Sequence, residues 1–298
     1  MPAQHTGSPA EKAVRGAASG LLPVCVFAVV AVAATSCMSD SRSSGPEHDD
    51  PAAWAWNAPI SAPSTVFIRN TNGSITVKPA TGGNVEVTAD MKWRRGDPKH
   101  DITFKTVNTS SGVIVCAVWN DGTCSEGKYE TKKPGFSFGP FSQGTDASVN
   151  FTVYVPTGVK VDLLTINGSI GAALTAPVKA RTVNGTIKVA TAVGPVDAET
   201  VNGSVDVRMT TLSGDGPVRA HAVTGSVAAY LPQKFDGSVD LESVIGNVSS
   251  DFPGNTSPDD KKKFTATVGA GTRTVDIGTV TGSAALHKLN ADGTVAAP

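Results

Sequence analysis

The sequence predicts an all-β chain whose second half is a single-stack β-solenoid, with repeats of about 17–22 residues and irregular flanking strands. Three observations predict it. First, a twelve-residue pattern runs from Pro177 to Lys188, returns from Pro195 to Asp206 and from Pro217 to Ala228, and appears degraded from Gly237 to Val248. Second, the turn glycines Gly168, Gly185, Gly203, Gly225 and Gly246 stand 17, 18, 22 and 21 residues apart. Gly282 follows after 36, a gap that fits one insertion-bearing coil. Third, the apolar parity switches within each copy. Val196, Ala198 and Thr200 share one face of a strand, whereas Val205 and Val207 share the other. Side chains alternate faces along a strand, so one face stays inward only if the chain bends between the two sets. The bend falls at Asn202-Gly203, where glycine accepts positive φ and asparagine tolerates it better than most residues.

The same corner recurs at Asn72-Gly73, Asn167-Gly168, Asn184-Gly185 and Thr224-Gly225, then at Gly246 and Gly282. Each coil carries two short strands, and parallel stacking lets each strand pair with its copy one coil away. Six coils at a spacing of about 4.8 Å make a stack of roughly 29 Å. Val, Ile, Leu and Ala fill its interior. Asn167, Asn184 and Asn202 are placed to form an amide ladder. Outward positions vary from copy to copy, as Lys179, Asp197 and Arg219 do, which marks them as solvent-facing.

The folded body begins near Ser64. Residues 65–69 and 74–78 alternate around Asn72-Gly73 and read as strand, tight turn and strand. Residues 84–90, 102–107 and 113–118 supply further strands, and residues 150–155 form one that ends at Pro156. The organisation is thus a targeting segment over 1–37, a flexible tether over 38–63, N-terminal strands and hairpins over 64–158, solenoid repeats over 159–290 and a tail over 291–298. The tether is rich in Ser, Pro, Ala, Asp and Glu. Its Trp54 and Trp56 either dock on the body's first strand or sit at a lipid headgroup layer. Charged residues are 17% and Gly plus Pro 50 of 298, a mix that suits short strands and turns. A net charge of −1 supplies no global basic field for nucleic acid.

Lys12 and Arg15 precede an apolar run from Gly20 to Thr35, too short to span a bilayer comfortably. It ends in Ala34-Thr35-Ser36-Cys37. Small residues before a cysteine resemble the lipobox of bacterial lipoproteins, with Ala34 where that motif usually has Leu. The resemblance implies an acylated Cys37 and a lipid anchor that holds the chain to a membrane, outside the cytoplasm, on the extracellular or periplasmic side. The alternative is ordinary cleavage after Ala33, which leaves a secreted chain and a plain thiol at Cys37. Cys116 and Cys124 flank the turn signal Asn120-Asp121-Gly122, and a disulfide across that hairpin suits an oxidising compartment. Their spacing is not CxxC and no His lies nearby, so no metal site is expected. The histidines at 5, 48, 100, 221 and 287 form no ligand spacing, and no cofactor is expected.

A glycan-active solenoid needs clustered acids. Asp197, Asp206, Asp240 and Glu242 are the candidates. The repeat places Lys179 and Lys188 in register with Asp197 and Asp206, which reads instead as cross-strand pairing on a solvated face. Asn72, Asn167, Asn184 and Asn202 also match the glycosylation acceptor triplet, but repeat geometry accounts for it. Phe136, Phe138 and Phe141, beside Lys132 and Lys133, form either a contact surface or a cap on the open end of the stack. The run 259–263 reads as a soluble loop.

The lipobox-like start, the early Asn72-Gly73-Ser74-Ile75, the strand Val153-Tyr154-Val155-Pro156 ahead of the array and the recurring Thr-Val-Asn-Gly-Ser-Val units resemble the bacterial putative-adhesin β-solenoid family, a domain of unknown function. The resemblance covers about residues 65–289. It implies a β-solenoid with irregular flanking strands, exported and often lipid-anchored, with no catalytic residues to carry over. The cysteine pair and the Phe-rich loop lie outside that family's pattern. The expected function is a non-catalytic adhesin-like or scaffold module of the cell envelope, not an enzyme, with its ligand (surface, glycan or protein) left open. The alternatives are a self-associating structural envelope protein, joined through exposed strand edges, and a glycan-active β-helix enzyme.

Overall fold

The computed structural model describes residues 46–127, 129–130, 145–257 and 262–296. Ahead of the repeats lie β1 (His48–Pro59), β2 (Thr65–Arg69), β3 (Ile75–Pro79), β4 (Asn84–Trp93), the one-turn helix α1 (Pro98–Asp101), β5 (Ile102–Asn108), β6 (Gly112–Trp119), the short β7 (Thr123–Cys124) and β8 (Tyr129–Glu130), and β9 (Ser148–Val155). The repeats supply β10 (Lys160–Asn167) with β11 (Ile170–Leu174), β12 (Val178–Asn184) with β13 (Ile187–Thr191), and β14 (Val196–Asn202) with β15 (Val205–Arg208). They continue as β16 (Val218–Thr224) with β17 (Val227–Pro232), and β18 (Gly237–Ile245) with β19 (Val248–Ser250). After β20 (Asn255–Thr256) and β21 (Lys263–Val268), the pair β22 (Arg273–Thr281) and β23 (Ala284–Leu289) ends the series.

Each coil runs into its corner along one sheet and leaves along another. The entry sheet orders its strands β20-β21-β18-β22-β16-β14-β12-β10-β2-β6-β5, and the exit sheet β1-β4-β9-β3-β11-β13-β15-β17-β23-β19. The eight strands from β18 to β6 and the eight from β9 to β19 are parallel. This is the expected β-solenoid. Its apolar interior lies between the sheets, with Val66, Val161, Val178, Val196, Val218, Val275 and Val239 in one register row, all at 2% exposure or less. Each such valine contributes about 1.5–3 kcal/mol of burial.

Two features of the stack differ from the sequence reading. The residues around Asn72-Gly73 do not form a hairpin. β2 pairs with β6 and β10 in one sheet, and β3 with β9 and β11 in the other, so they make one more coil. The reason is the parity switch itself: Val66, Ile68 and Asn70 point inward before the corner, and Ile75 and Val77 after it. The order of coils is also permuted. The β22–β23 coil slots between β16–β17 and β18–β19, because β21 pairs antiparallel with the far edge of β18 before the chain returns as β22. β22–β23 carries Thr281-Gly282-Ser283, the motif of a middle coil. The degraded copy in β18–β19 is the terminal one, where the repeat's constraints lapse.

The corner is where coils meet most closely. A Cβ built on Gly168 would lie 2.0 Å from the Gly73 carbonyl oxygen, one on Gly185 2.0 Å from that of Gly168, and one on Gly203 2.0 Å from that of Gly185. Gly225 and Gly282 repeat the contact. Positive φ holds, as expected, at Gly73, Gly203, Gly225, Gly246 and Gly282 (118–153°), but Gly168 and Gly185 lie outside the left-handed region and none of the corner asparagines is in it, so the close approach is the reason all the corners share. Asparagine serves the ladder. Asn184 donates from Nδ2 to Asn167 Oδ1 at 2.8 Å, and Asn202 to Asn184 Oδ1 at 2.9 Å. Beneath it runs a buried hydroxyl ladder. Thr165, Thr182, Thr200 and Thr279 each donate from Oγ1 to the corner carbonyl of a neighbouring coil (Gly73, Gly168, Gly185 and Gly225) at 2.8–3.0 Å. Ser243 does the same to Gly282 at 2.8 Å, and Asn70 Nδ2 to Val149 at 2.7 Å. Ala222 occupies the matching position opposite Gly203 and has no hydroxyl to give.

Aromatic residues gather at the two ends. Trp54 stacks on Phe104 with ring centroids 5.3 Å apart, and Phe104 meets Phe151 edge-on at 6.2 Å. At the other end Phe235 and Phe252 pack edge-on at 5.4 Å, with Phe264 also buried. Trp54 and Trp56 belong to β1, a strand within the stretch read as a tether; they pack half-buried against the core, paired with β4 rather than with the body's first strand. The Phe136, Phe138 and Phe141 loop lies outside the described residues, as does Cys37.

Gly185→Ala tests the steric reason for the corner, since its φ gives alanine no strain. It should lower unfolding free energy by roughly 2 kcal/mol or more; a denaturation midpoint equal to wild type would remove the close approach as the cause. Ala222→Thr should restore the missing rung to Gly203 and raise stability by about 1 kcal/mol, read in the same denaturant titration.

Candidate binding faces

In-register stacking turns a position in the repeat into a straight row across the outside of a sheet. On the entry sheet one row is Asp162, Lys179, Asp197, Arg219, Asp276 and Asp240, and the next holds Arg181, Glu199, His221 and Glu242. Opposite charges meet across strands. Lys179 Nζ lies 3.8 Å from Asp197 Oδ2, Arg181 Nε 3.3 Å from Glu199 Oε2, His221 Nε2 3.3 Å from Asp276 Oδ2, and Lys263 Nζ 3.2 Å from Asp240 Oδ2. The side chains of these pairs are 27–51% exposed, and each pair adds little stability. A third row, Val183, Val201, Val223, Val280 and Val244, is 37–50% exposed. It was missed in the sequence because the valine falls on the outward parity of the Thr-Val-Asn-Gly unit, which parity counting alone could have found. Stacked valines shield one another across strands.

At the β2 end the outer face is covered. Arg69 is only 3% exposed. Its guanidinium donates to the Asp162 carboxylate at 2.9 Å, to the Asp162 carbonyl at 2.7 Å and to the Glu126 carbonyl at 2.8 Å. Burial lowers its pKa, and Asp162 opposes that shift. The cover is residues 120–127 with Tyr129 and Glu130. Asn120 and Asp121, at φ 49° and 55°, turn the chain after β6, and β7 then pairs with β8 rather than with β6. A disulfide joins Cys116 to Cys124 and ties the cover to the sheet. Tyr129 donates from its hydroxyl to the Ala117 carbonyl at 2.7 Å, and burial pushes its pKa up to about 12.

The exit sheet carries a different surface. One outward row reads Tyr154, Lys78, Ala173, Ala190, Arg208, Tyr230, His287. The next reads Thr76, Gly171, Lys188, Asp206 over the same strands. Where the small residues stand, a trough of about 500 Å³ opens across β11 and β13. Side chains stand upright on a sheet and stack along it, so the flanking rows act as walls. On one side the Lys78 ammonium lies 5.9 Å from the Tyr154 ring centre. On the other, the Arg208 guanidinium lies 4.5 Å over Tyr230, which stacks at 5.0 Å on His287, itself 3.3 Å from Asp251. Burial raises the Asp206 pKa against the pull of Arg208 and Lys188.

The acids considered for glycan cleavage are divided between the two sheets, with only Asp240 and Glu242 side by side on one strand face. Asp206 lies on the exit sheet, and Asp197, Asp240 and Glu242 on the entry sheet. Asp197 and Asp240 share a row but stand three strands apart, about 14 Å by strand spacing. Asp240 faces Asp276 in register, and each has a basic partner, Lys263 and His221. Among the described residues no group of three or more His, Cys, Asp or Glu is placed to hold a metal ion, and no helix is long and apolar enough to cross a membrane.

No curated protein matches the chain. Among solved structures it is similar to a putative cell adhesion protein from Clostridium sporogenes, at 12% identity over 80% of this chain and 99% of that one, with a TM-score of 0.44. It is also similar to a putative adhesin from Bacteroides fragilis, at 8% identity over 78% and 96%, with a TM-score of 0.36. Residues 157–286, from the turn before β10 into β23, match the family model described as Toastrack DUF4097.

Proposed function

We propose that this protein is an exported, lipid-anchored, non-catalytic binding module of the cell envelope, adhesin-like in acting through its outer sheet faces. One observation carries the reading. Inward positions and corners are dictated by stacking, whereas the outward rows differ from coil to coil and leave two long, rigid, solvent-facing surfaces. Rigid sheets present side chains at fixed spacing with little ordering cost on binding. Asp197 and Asp240 are held in salt bridges with Lys179 and Lys263, and Asp206 lies on the other sheet, which favours binding over turnover.

Self-association through strand edges is the weaker reading, because the sheet edges are blunted. β20 has two residues, β19 three, β1 carries Pro51 and Pro59, and β5 carries Lys105. The anchor rests on Ala34-Thr35-Ser36-Cys37.

Cys37→Ala should move the protein from the membrane fraction to the soluble exported fraction; retention in the membrane would remove the lipid anchor from the reading. The purified exported chain should bind immobilised cell-envelope material while releasing no reducing ends and no unsaturated products from acidic polysaccharides. Turnover of any of them would replace the binding module with an enzyme.

A further inference from the structure

The geometry points to the exit-sheet trough as a binding site for an acidic glycan, a chain that carries both hydroxyls and carboxylate or phosphate groups. The inference rests on the binding-module reading and gives it a place and a ligand class.

Four features of the trough select that class. Its charge is positive: Lys78, Lys188 and Arg208 face it against the single carboxylate of Asp206. Lys78 and Lys188 are also available, and Arg208 gives one donor, Nη1, to the Gly293 carbonyl at 3.3 Å and keeps the others. Among the described residues none of the three has a carboxylate within salt-bridge distance, and burial works against ionisation of Asp206. The entry-sheet groove along Pro177, Pro195 and Pro217 is more evenly balanced, with Lys160, Lys179 and Arg219 against Asp162 and Asp197, and its carboxylates are held by Arg69 and Lys179. The floor is flat and narrow: Gly171, Ala173 and Ala190 raise no side chain beyond a methyl between walls three strands apart, about 14 Å from β3 to β15. A slot of that shape admits a slender chain lying along the strands. Finally, beyond the lining residues, toward the corner, the outward positions carry hydroxyls. Ser169 and Thr186 precede Ile170 and Ile187 on the outward parity, in line with Ser74 and Ser204. Hydroxyl donors beside fixed cations fit a polymer of alternating hydroxyl and acidic groups. The guanidinium of Arg208, held flat by Tyr230, offers a pre-set fork to an oxyanion at low entropic cost.

The test is calorimetric titration of the purified exported chain with a galacturonate hexamer, its methyl ester, and a glycerol-phosphate oligomer. The galacturonate or the glycerol phosphate should bind, and the stronger of the two assigns carboxylate or phosphate as the recognised group. The neutral ester should bind at least about tenfold more weakly, and affinity should fall with added salt. Lys78→Glu with Lys188→Glu should weaken binding about tenfold or more. Ala190→Tyr should block the slot without changing charge. Asp206→Asn should raise affinity severalfold, an effect that damage to the fold cannot mimic. Lys105→Glu, on the far edge of the other sheet, should change nothing. Equal binding of acid and ester, or wild-type affinity in both the lysine pair and Ala190→Tyr, overturns the site. If the anionic ligands bind but only variants outside the trough weaken them, the binding-module reading stands and this placement falls. If envelope material itself fails to bind, the broader reading falls first.

Discussion

Everything in this stack depends on how closely two coils approach at the corner. The α-carbon of one turn glycine sits against the carbonyl oxygen of the next, with less room than a single methyl group needs. That contact leaves one axial position for each coil. A slip of one residue would drive a Cβ into the carbonyl and, because side-chain direction has a period of two, turn every valine of the core outward. The asparagine and hydroxyl ladders then satisfy polar groups that the close approach would strand. The buried Thr oxygens are the clearest case. A carbonyl facing the core without a donor costs about 1–3 kcal/mol, and six of the seven corner coils supply one from the inward position before the turn.

Once register is fixed at the corner, the outer faces follow from it. A residue in one repeat lies beside its equivalent, so a difference between copies becomes a difference between neighbours in space. On the entry sheet this produces alternating charges that pair across strands. On the exit sheet it produces the trough. The walls are Lys78 and Arg208, each lying against a tyrosine, and the opening comes from the loss of side-chain bulk at Ala173 and Ala190 between them. Such a site is made by what two adjacent coils omit.

Much of the fold was legible because stacking writes itself into the sequence. The corners, the inward columns, the parity switch and the rungs from Asn167 to Asn202 were all readable from spacing. Three things were not, each for a physical reason. The permuted order of the last two coils depends on which edge of β18 captures β21, a long-range choice with no local signal. The strand β1 hides in a stretch of tether-like composition because Trp54 and Trp56 do the packing while its other residues stay polar or small. The glycine requirement was legible as a fact but not as a cause, since a positive φ and a close backbone approach select the same residue. Gly168 and Gly185 separate the two only when their neighbours are seen.

The trough was illegible for a related reason. Its residues come from Thr76 to Arg208 and share no motif; the repeat frame that aligns them was read for what it conserves, while the site lies in what it leaves free. The degraded copy makes the same point from the other side. Judged by sequence order it sits in the interior of the array, where loss of the Asn-Gly corner would be costly. Judged by the stack it is terminal, with β21 and β20 beyond it and no further coil to satisfy. Ile245 stands where a ladder residue would be, 63% exposed and paired on one side only, with Thr281. Departures from the repeat therefore fall into two kinds. Those at inward and corner positions report where the stack ends, and those at outward positions report where a surface has been left for something else to touch.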